Sequence, residues 1–508
     1  MNSNYDAAGD DNIFRTLGVE PLINCRGTFT IIGGSLERTS VRTAMDRASK
    51  SFVQYDELAD GIGKKLAEIT GAPWGMVSAG CAAGLKHVAL ACVTGGNPEK
   101  LIRVPNLTGF ERTEVVIPTI ARSVYDHGIR NVGVKVINVD TMEELVNALC
   151  DRTALIYLSA KRNDLFPLEE ISKIAKQKNI PVLVDAAAED LTIPCIHLQR
   201  GATVVAYSGG KALCGPQCAG LLLGDKELLM SAWQASSPHH GPGRDNKVGR
   251  EEMIGMLAAV EAWKSMDHGA EWKKWLGWLD NISKQLLKIE GIKTEVVEPE
   301  GIGNHSPQLH ISWDPQKLNL TGEEVAEIVG RNKPRIALGS AGARANETGP
   351  TSIVITTGQM QMGEDKLVAD RLLPILSEKR PARTTTMKAP VANIAGHWDM
   401  LIRFFSSSTH HAVTIEQDGN WINGSHQTNY VTLDLAGTIE GDVVKLTSLY
   451  KIPGDNITYI FSGVLDGESM SGSIYMGEYR TATFKGTRVT KKAPHKPVTV
   501  PGGPPLAT

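Results

Sequence analysis

The chain has 508 residues, a formal net charge of −3 and seven cysteines. The length exceeds what one core fills, so two or three domains are expected, and the near-neutral balance gives no reason to expect nucleic acid or an anionic membrane as partner. No run approaches the roughly 18 apolar residues of a membrane span, and the start MNSNYDAAGDDN lacks the basic and apolar regions of a signal peptide, so a cytoplasmic protein is expected.

In chain order, residues 1–36 read as an N-terminal arm that carries Arg26 and enters the fold through Gly33-Gly34. Residues 40–70 have apolar positions at helical spacing, and VSAGCAAG (77–84) then leads into an apolar helix. Small residues there let a backbone approach a phosphate, which the first-turn N–H groups and the helix dipole would bind; packing alone explains such turns equally well. From about 100 to 225 strands and helices alternate, which predicts a mostly parallel sheet with helices on both faces. Thr108–His127 interrupts this as a polar insertion with Arg112 and His127.

The strand pattern IPVLVD ends in Asp185, and the run Thr203–Val205 leads through Ser208-Gly209-Gly210 to Lys211, 26 residues after Asp185. Lys211 stands on a tight loop between two apolar runs, where it is either a solvated loop lysine or a desolvated one whose lowered pKa makes it a nucleophile towards carbonyls. Asp185 is either a helix cap or an acid at a strand's carboxyl end, where ligand sites of such sheets form. Together the two side chains match the needs of pyridoxal 5'-phosphate (PLP): a lysine for the aldehyde and a carboxylate that keeps the pyridine nitrogen protonated.

Downstream, SPHHGPGRDNKVGREE places Arg244 and Lys247 on a Gly/Pro loop that could set cations on a carboxylate or phosphate across a dimer interface. An amphipathic helix over 272–291 opens a smaller α+β segment whose strand PRIAL carries Arg335, a further candidate for a substrate carboxylate. Composition changes at the Pro/Thr/basic linker 378–393. Beyond it, short alternating strands with Asp-Gly and Glu-Gly turns, and repeated Gly-Ser/Thr steps at Gly424, Gly437 and Gly472, predict an antiparallel β-barrel or sandwich over 394–489. That domain shows no titratable cluster suggesting chemistry, and the Pro/Gly-rich tail 490–508 reads as disordered. The cysteines sit in apolar segments as reduced thiols. No second Cys or His pair completes a zinc pattern around Cys214 and Cys218, so no metal is expected.

The stretches PLINCRGTFTIIGGSL, VSAGCAAGL, YDHGIRNVG, VLVDAAAE, YSGGKALCGPQCAGLLLG and GRDNKVGREEMIGMLAAVE resemble the selenocysteine-synthase-like branch of the PLP enzymes with the aspartate-aminotransferase-like fold. That group holds L-seryl-tRNA(Sec) selenium transferases and D-glucosaminate-6-phosphate ammonia-lyase-like enzymes, and the resemblance spans roughly residues 12–376. It implies Lys211 as the Schiff-base lysine, Asp185 as the pyridinium partner, and Gly80, Cys81, Ala82 and Ser208 as the phosphate cradle. It also implies a large PLP-binding domain (37–265), a small subdomain (266–377) and a homodimer or higher oligomer. One departure is Gly210, where many relatives carry Asp. The function expected is a lyase that eliminates the β-hydroxyl of an amino acid or amino-sugar acid, with selenium-transferase-like, racemase, aldolase or aminotransferase chemistry as alternatives. The acidic start lacks the helical RNA-binding region of the transferases.

Overall fold

The structure, a computed structural model, describes residues 12–160, 165–343, 347, 349–382 and 386–490; most of the tail and the first eleven residues of the arm lie outside these. The chain divides into two compact units, one of residues 1–121 and 126–383, the other of residues 384–508 with Arg122–Tyr125.

The first unit holds two sheets. Strand β1 (Leu22–Cys25) comes from the arm, followed by β2 (Trp74–Ser78), β3 (Glu114–Pro118), β4 (Lys135–Val139), β5 (Thr153–Ser159), β6 (Val182–Asp185), β7 (Val204–Ser208) and β8 (Gly220–Gly224). The seven strands β2 to β8 form one sheet in the order β2-β8-β7-β6-β5-β3-β4. Five run parallel from β4 to β7, and β8 alone is reversed, pairing antiparallel with both β7 and β2. These strands are Val-, Ile- and Leu-rich on both faces because helices cover both: one core cluster includes Leu66, Ile171 and Val260, the other Leu85, Ile129 and Leu229. Strand β3 lies inside the stretch read from sequence as a polar insertion. Its apolar run is only Val115-Val116-Ile117 behind Glu114, too short for periodicity to separate from a loop, yet all five of its residues are buried.

The small sheet contains β9 (Lys293–Val297), β10 (Gln308–Trp313), β11 (Arg335–Gly342) and β12 (Thr351–Thr356), in the order β1-β11-β12-β10-β9. The arm is thus not a detached strap: β1 pairs parallel with β11 along Leu22↔Arg335 to Cys25↔Leu338. This sheet packs its apolar face on the helices His268–Leu286, Gly322–Arg331 and Glu364–Ser377.

In the second unit, β13 (Gly396–Arg403), β14 (Ser408–Asp418), β15 (Trp421–Gln427), β16 (Thr432–Glu440), β17 (Val443–Ile452), β18 (Asp455–Asp466), β19 (Ser469–Tyr475) and β20 (Thr481–Val489) close into an antiparallel barrel. Of the two forms the alternating pattern allows, it is the barrel, sealed by the β13–β20 ladder. The recurrent glycines allow close strand approach: a Cβ at Gly424 would run into the Thr414 carbonyl, and one at Gly437 into that of Lys445. Inward positions alternate along each strand and fill the interior with Trp398, Met400, Phe461, Ile474 and Phe484. They also include a polar chain that the sequence did not reveal, His411, His426 and Ser448.

Candidate active site

Strands β6 and β7 are parallel neighbours, with Asp185 registered against Ala206, so Asp185 and the turn after Ser208 meet at the carboxyl edge of the sheet. The turn that follows is held tightly. Gly209 N–H donates to the Ala219 carbonyl at 2.8 Å, Gly215 N–H to the Gly209 carbonyl at 2.8 Å, and Cys214 N–H to the Lys211 carbonyl at 3.0 Å. A Cβ at Gly209 would stand 2.8 Å from the Met256 sulfur, which is why the chain can pass only as glycine. At Gly210 a side chain would press on Gln217, whose Cα lies 2.9 Å from the Cβ position, so an Asp there does not fit this loop.

The Asp185 carboxylate is partly open to solvent but densely surrounded. Its Oδ1 accepts the Ala187 N–H at 3.0 Å and faces the Cys81 thiol at 3.7 Å, while its Oδ2 accepts the Tyr157 hydroxyl at 2.9 Å. Burial pushes its pKa above the usual carboxylate range; the Ala187 N–H, the Tyr157 hydroxyl and the nearby Lys211 charge pull it back. Burial likewise pushes the Cys81 thiol well up, and the neighbouring Asp185 adds to the effect. An anion in this setting favours a cationic N–H group.

Gly80 caps the helix Cys81–Thr94 with φ of 89°, and no side chain caps the first turn, whose N–H groups face outward for an anion. A Cβ at Gly220 would come within 2.5 Å of the Gly80 carbonyl carbon and 2.7 Å of the Cys81 nitrogen, so glycine there lets β8 lie against this turn. Ser208 ends β7, registered with Gly220. Gly128 approaches so closely that its Cβ position lies 2.5 Å from the Ala82 carbonyl, which brings His127 to the same helix start. A carboxylate at the strand edge, a lysine one strand over and an uncapped helix start therefore lie together, and this set fits PLP.

Other candidates from the sequence stand elsewhere. Arg112 precedes β3 at the amino edge of the sheet, opposite Asp185, where its Nη1 donates to the Asn179 carbonyl at 2.8 Å. Arg335 begins β11 beside Leu22, away from the end of β1 that leads to Gly34 and the lysine loop, and its Nε donates to the Gly330 carbonyl at 2.7 Å. A strand carries its residues to opposite ends of a sheet, and an isolated Arg in a run does not say which end. Arg26 is exposed over the Phe29 ring at 4.7 Å. Arg244 and Lys247 are exposed, on a loop that Asp245 ties to the buried Lys86 of the helix Cys81–Thr94 at 2.7 Å. Sequence reasoning missed Tyr157 and Lys86. The only trace of Tyr157 is a hydroxyl two residues before the end of an otherwise apolar strand.

Residues 127–294 match the aminotransferase class-V family. Two relatives extend over most of the first unit: D-glucosaminate-6-phosphate ammonia lyase of Salmonella typhimurium, 25% identical over 326 residues, covers 62% of this chain and 85% of its own length. The 5'-C-glycyluridine monooxygenase-decarboxylase of a Streptomyces species is 27% identical over 344 residues, 64% of this chain and 83% of the relative. The L-seryl-tRNA(Sec) selenium transferase of Proteus mirabilis is 25% identical over 286 residues, 49% and 58%. The solved structure of D-glucosaminate-6-phosphate ammonia-lyase superposes over its whole length and 73% of this chain with a TM-score of 0.64 at 23% identity, which establishes the fold. The first unit has the fold-type I architecture of PLP-dependent enzymes. The cofactor that this fold and these relatives point to is PLP, and the seven-stranded sheet with one reversed strand lies within the matched part. A closed eight-stranded barrel forms the second unit.

Proposed function

We propose that the protein is a PLP-dependent lyase that removes ammonia from an amino acid or amino-sugar acid bearing a β-hydroxyl, leaving a 2-oxo acid. The observation that carries the reading is the pair formed by Asp185, a crowded carboxylate at the end of β6, and Lys211 on the loop after the adjacent β7, whose charge acts on it. When bound, PLP supplies an aldehyde for amines and a ring that accepts the electron pair released at the α-carbon. Lys211 would hold the cofactor, and its freed amine would take the substrate's α-proton. Asp185 keeps the proton on the ring nitrogen, and Tyr157 and the Ala187 N–H hold the carboxylate in place. Gly80, Cys81, Ala82 and Ser208 take the phosphate, and His127 lies beside the same helix start. Loss of the β-hydroxyl as water, followed by hydrolysis of the resulting enamine, gives ammonia and the 2-oxo acid, so that no oxidant is needed.

The relatives' names support an amino-sugar acid as one substrate class, since one of them is an ammonia lyase of D-glucosaminate 6-phosphate. We place the enzyme in the cytoplasm as a homodimer; among the described residues no helix is long and apolar enough to cross a membrane. The test is to incubate purified protein with D- and L-hydroxy amino acids and amino-sugar acids while assaying ammonia and 2-oxo acid. Equimolar release of both supports the reading. A keto acid formed only with stoichiometric amination of the cofactor would instead indicate transamination.

A further inference from the structure

The segment between β1 and the helix Thr39–Ala48 carries a buried side-chain nitrogen with no hydrogen-bond partner among the described residues, Arg38 Nε, and beside it Ser35, whose hydroxyl faces the Cys214 thiol. Ser35 is only 7% exposed. The backbone places them: the Arg38 main-chain N–H donates to the Cys214 carbonyl at 3.1 Å, and Cys214 closes the turn that begins at Lys211. Gln359, itself 7% exposed, joins them, its Oε1 accepting the Leu36 N–H at 3.3 Å. All three side chains surround the Cys214 thiol: burial pushes that thiol up, Arg38, Gln359 and Ser35 pull it back, and Glu271 acts on it in the opposite direction. No ion pair of Arg38 is found among the described residues, and its Nε meets no acceptor there. Arg42, one turn further on, shows the ordinary alternative, with its guanidinium bound to the Glu37 carbonyl and the Thr39 hydroxyl.

A half-buried guanidinium kept without an anion is unfavourable in the protein alone, and its planar fork matches a carboxylate in two parallel hydrogen bonds. We propose that Arg38, with Ser35 and Gln359, binds the α-carboxylate of the substrate next to Lys211. The proposal rests on the reading that Lys211 holds PLP. The α-carboxylate, rather than a phosphate or acid group farther along the substrate, is assigned because it shares its carbon with the amine that replaces Lys211. A cation one tight turn from that lysine reaches the nearest acid group.

The experiment uses the full-length holoenzyme and its Arg38→Met and Arg38→Lys variants. Borohydride reduction followed by peptide mapping reports first whether the cofactor is fixed on Lys211. The visible cofactor band is then titrated with matched probes that differ in the carboxylate: D-glucosaminate against D-glucosamine, and each enantiomer of serine against serinol. We expect Lys211 to be labelled in all three proteins. The wild type should favour the carboxylate member of at least one pair by about tenfold or more, Arg38→Met should remove that preference, and Arg38→Lys should restore part of it. The melting temperature of Arg38→Met should equal or exceed that of the wild type, because the buried Nε has no acceptor among the described residues and loses none on substitution. The proposal is overturned if the wild type does not distinguish the members of any pair, if Arg38→Met keeps the preference, or if that variant melts several degrees lower. Absence of label on Lys211 in the wild type overturns the underlying reading as well, so the two failures are told apart.

Discussion

Polar side chains are buried both at the carboxyl edge of the seven-stranded sheet and inside the barrel, but they are satisfied differently. In the barrel, His411 Nδ1 meets His426 Nε2 at 2.8 Å, and His426 Nδ1 meets the Ser448 hydroxyl at 2.7 Å, with the Tyr459 and Phe461 rings edge-on at 5.0 and 5.4 Å. Each group there completes another, as a structural network does. At the sheet edge, Asp185 is bonded only by neutral donors while burial opposes its charge, and Arg38 Nε meets no acceptor among the described residues. Closed networks specify a fold, whereas crowded and incompletely met groups at a crevice mark where a ligand belongs.

The largest effect that would break this contrast is expected at the sheet edge. Asp185→Asn puts an amide where both oxygens now accept hydrogen bonds and removes the charge that holds the ring-nitrogen proton. It should leave PLP bound and lower turnover on the order of thousandfold, equivalent to about 4 kcal/mol of transition-state stabilisation. Steady-state rates with the spectrum as control measure it; near-normal turnover would reduce Asp185 to a packing residue.

The barrel should answer to pH instead of chemistry. Burial, with His411 alongside, lowers the His426 pKa to about 3, whereas the unfolded chain titrates near 6.5. Between these values the unfolded state binds more protons. The stability contributed by neutral His426 is thus complete above about pH 6.5 and is lost as pH falls towards 3, by an amount on the order of a few kcal/mol. Thermal melts of the wild type should drop in this window, and His426→Leu should flatten the drop while changing turnover little. A slope identical in both proteins would mean that the histidine chain is not the acid-sensitive element.

Much of the sheet edge was legible in the sequence because the candidate residues lie in short contiguous signals. Asp185 ends a strand run, and the Gly-Gly-Lys turn separates two apolar runs, so both are visible without knowing the strand order. What escaped depends on pairings between distant parts of the chain. Tyr157 looks like any core aromatic until β5 is set beside β6, and Ser35 and Arg38 look like loop residues until the arm is laid on Cys214. His411 and His426 look like strand residues of an ordinary alternating pattern, and only barrel closure turns both inward. Arg112 and Arg335 misled for the converse reason: their residue type suits a carboxylate, but the strands deliver them to the wrong ends.

The smallest effect is expected from removing the barrel. A chain ending at Ser377 keeps both sheets of the first unit and all the candidate residues, so it should fold and bind PLP with an unchanged visible band. Oligomer mass and rate, compared with those of the full chain, then show what the barrel adds. A colourless, aggregated product would contradict the independence of the first unit.

The central claim, that Lys211 carries the cofactor in the crevice Asp185 lines, is tested most directly by borohydride reduction of the wild type and of Lys211→Ala, followed by peptide mapping. The wild type should carry the reduced cofactor on Lys211 alone and Lys211→Ala should carry none; a stoichiometric adduct on another lysine in either protein would contradict it.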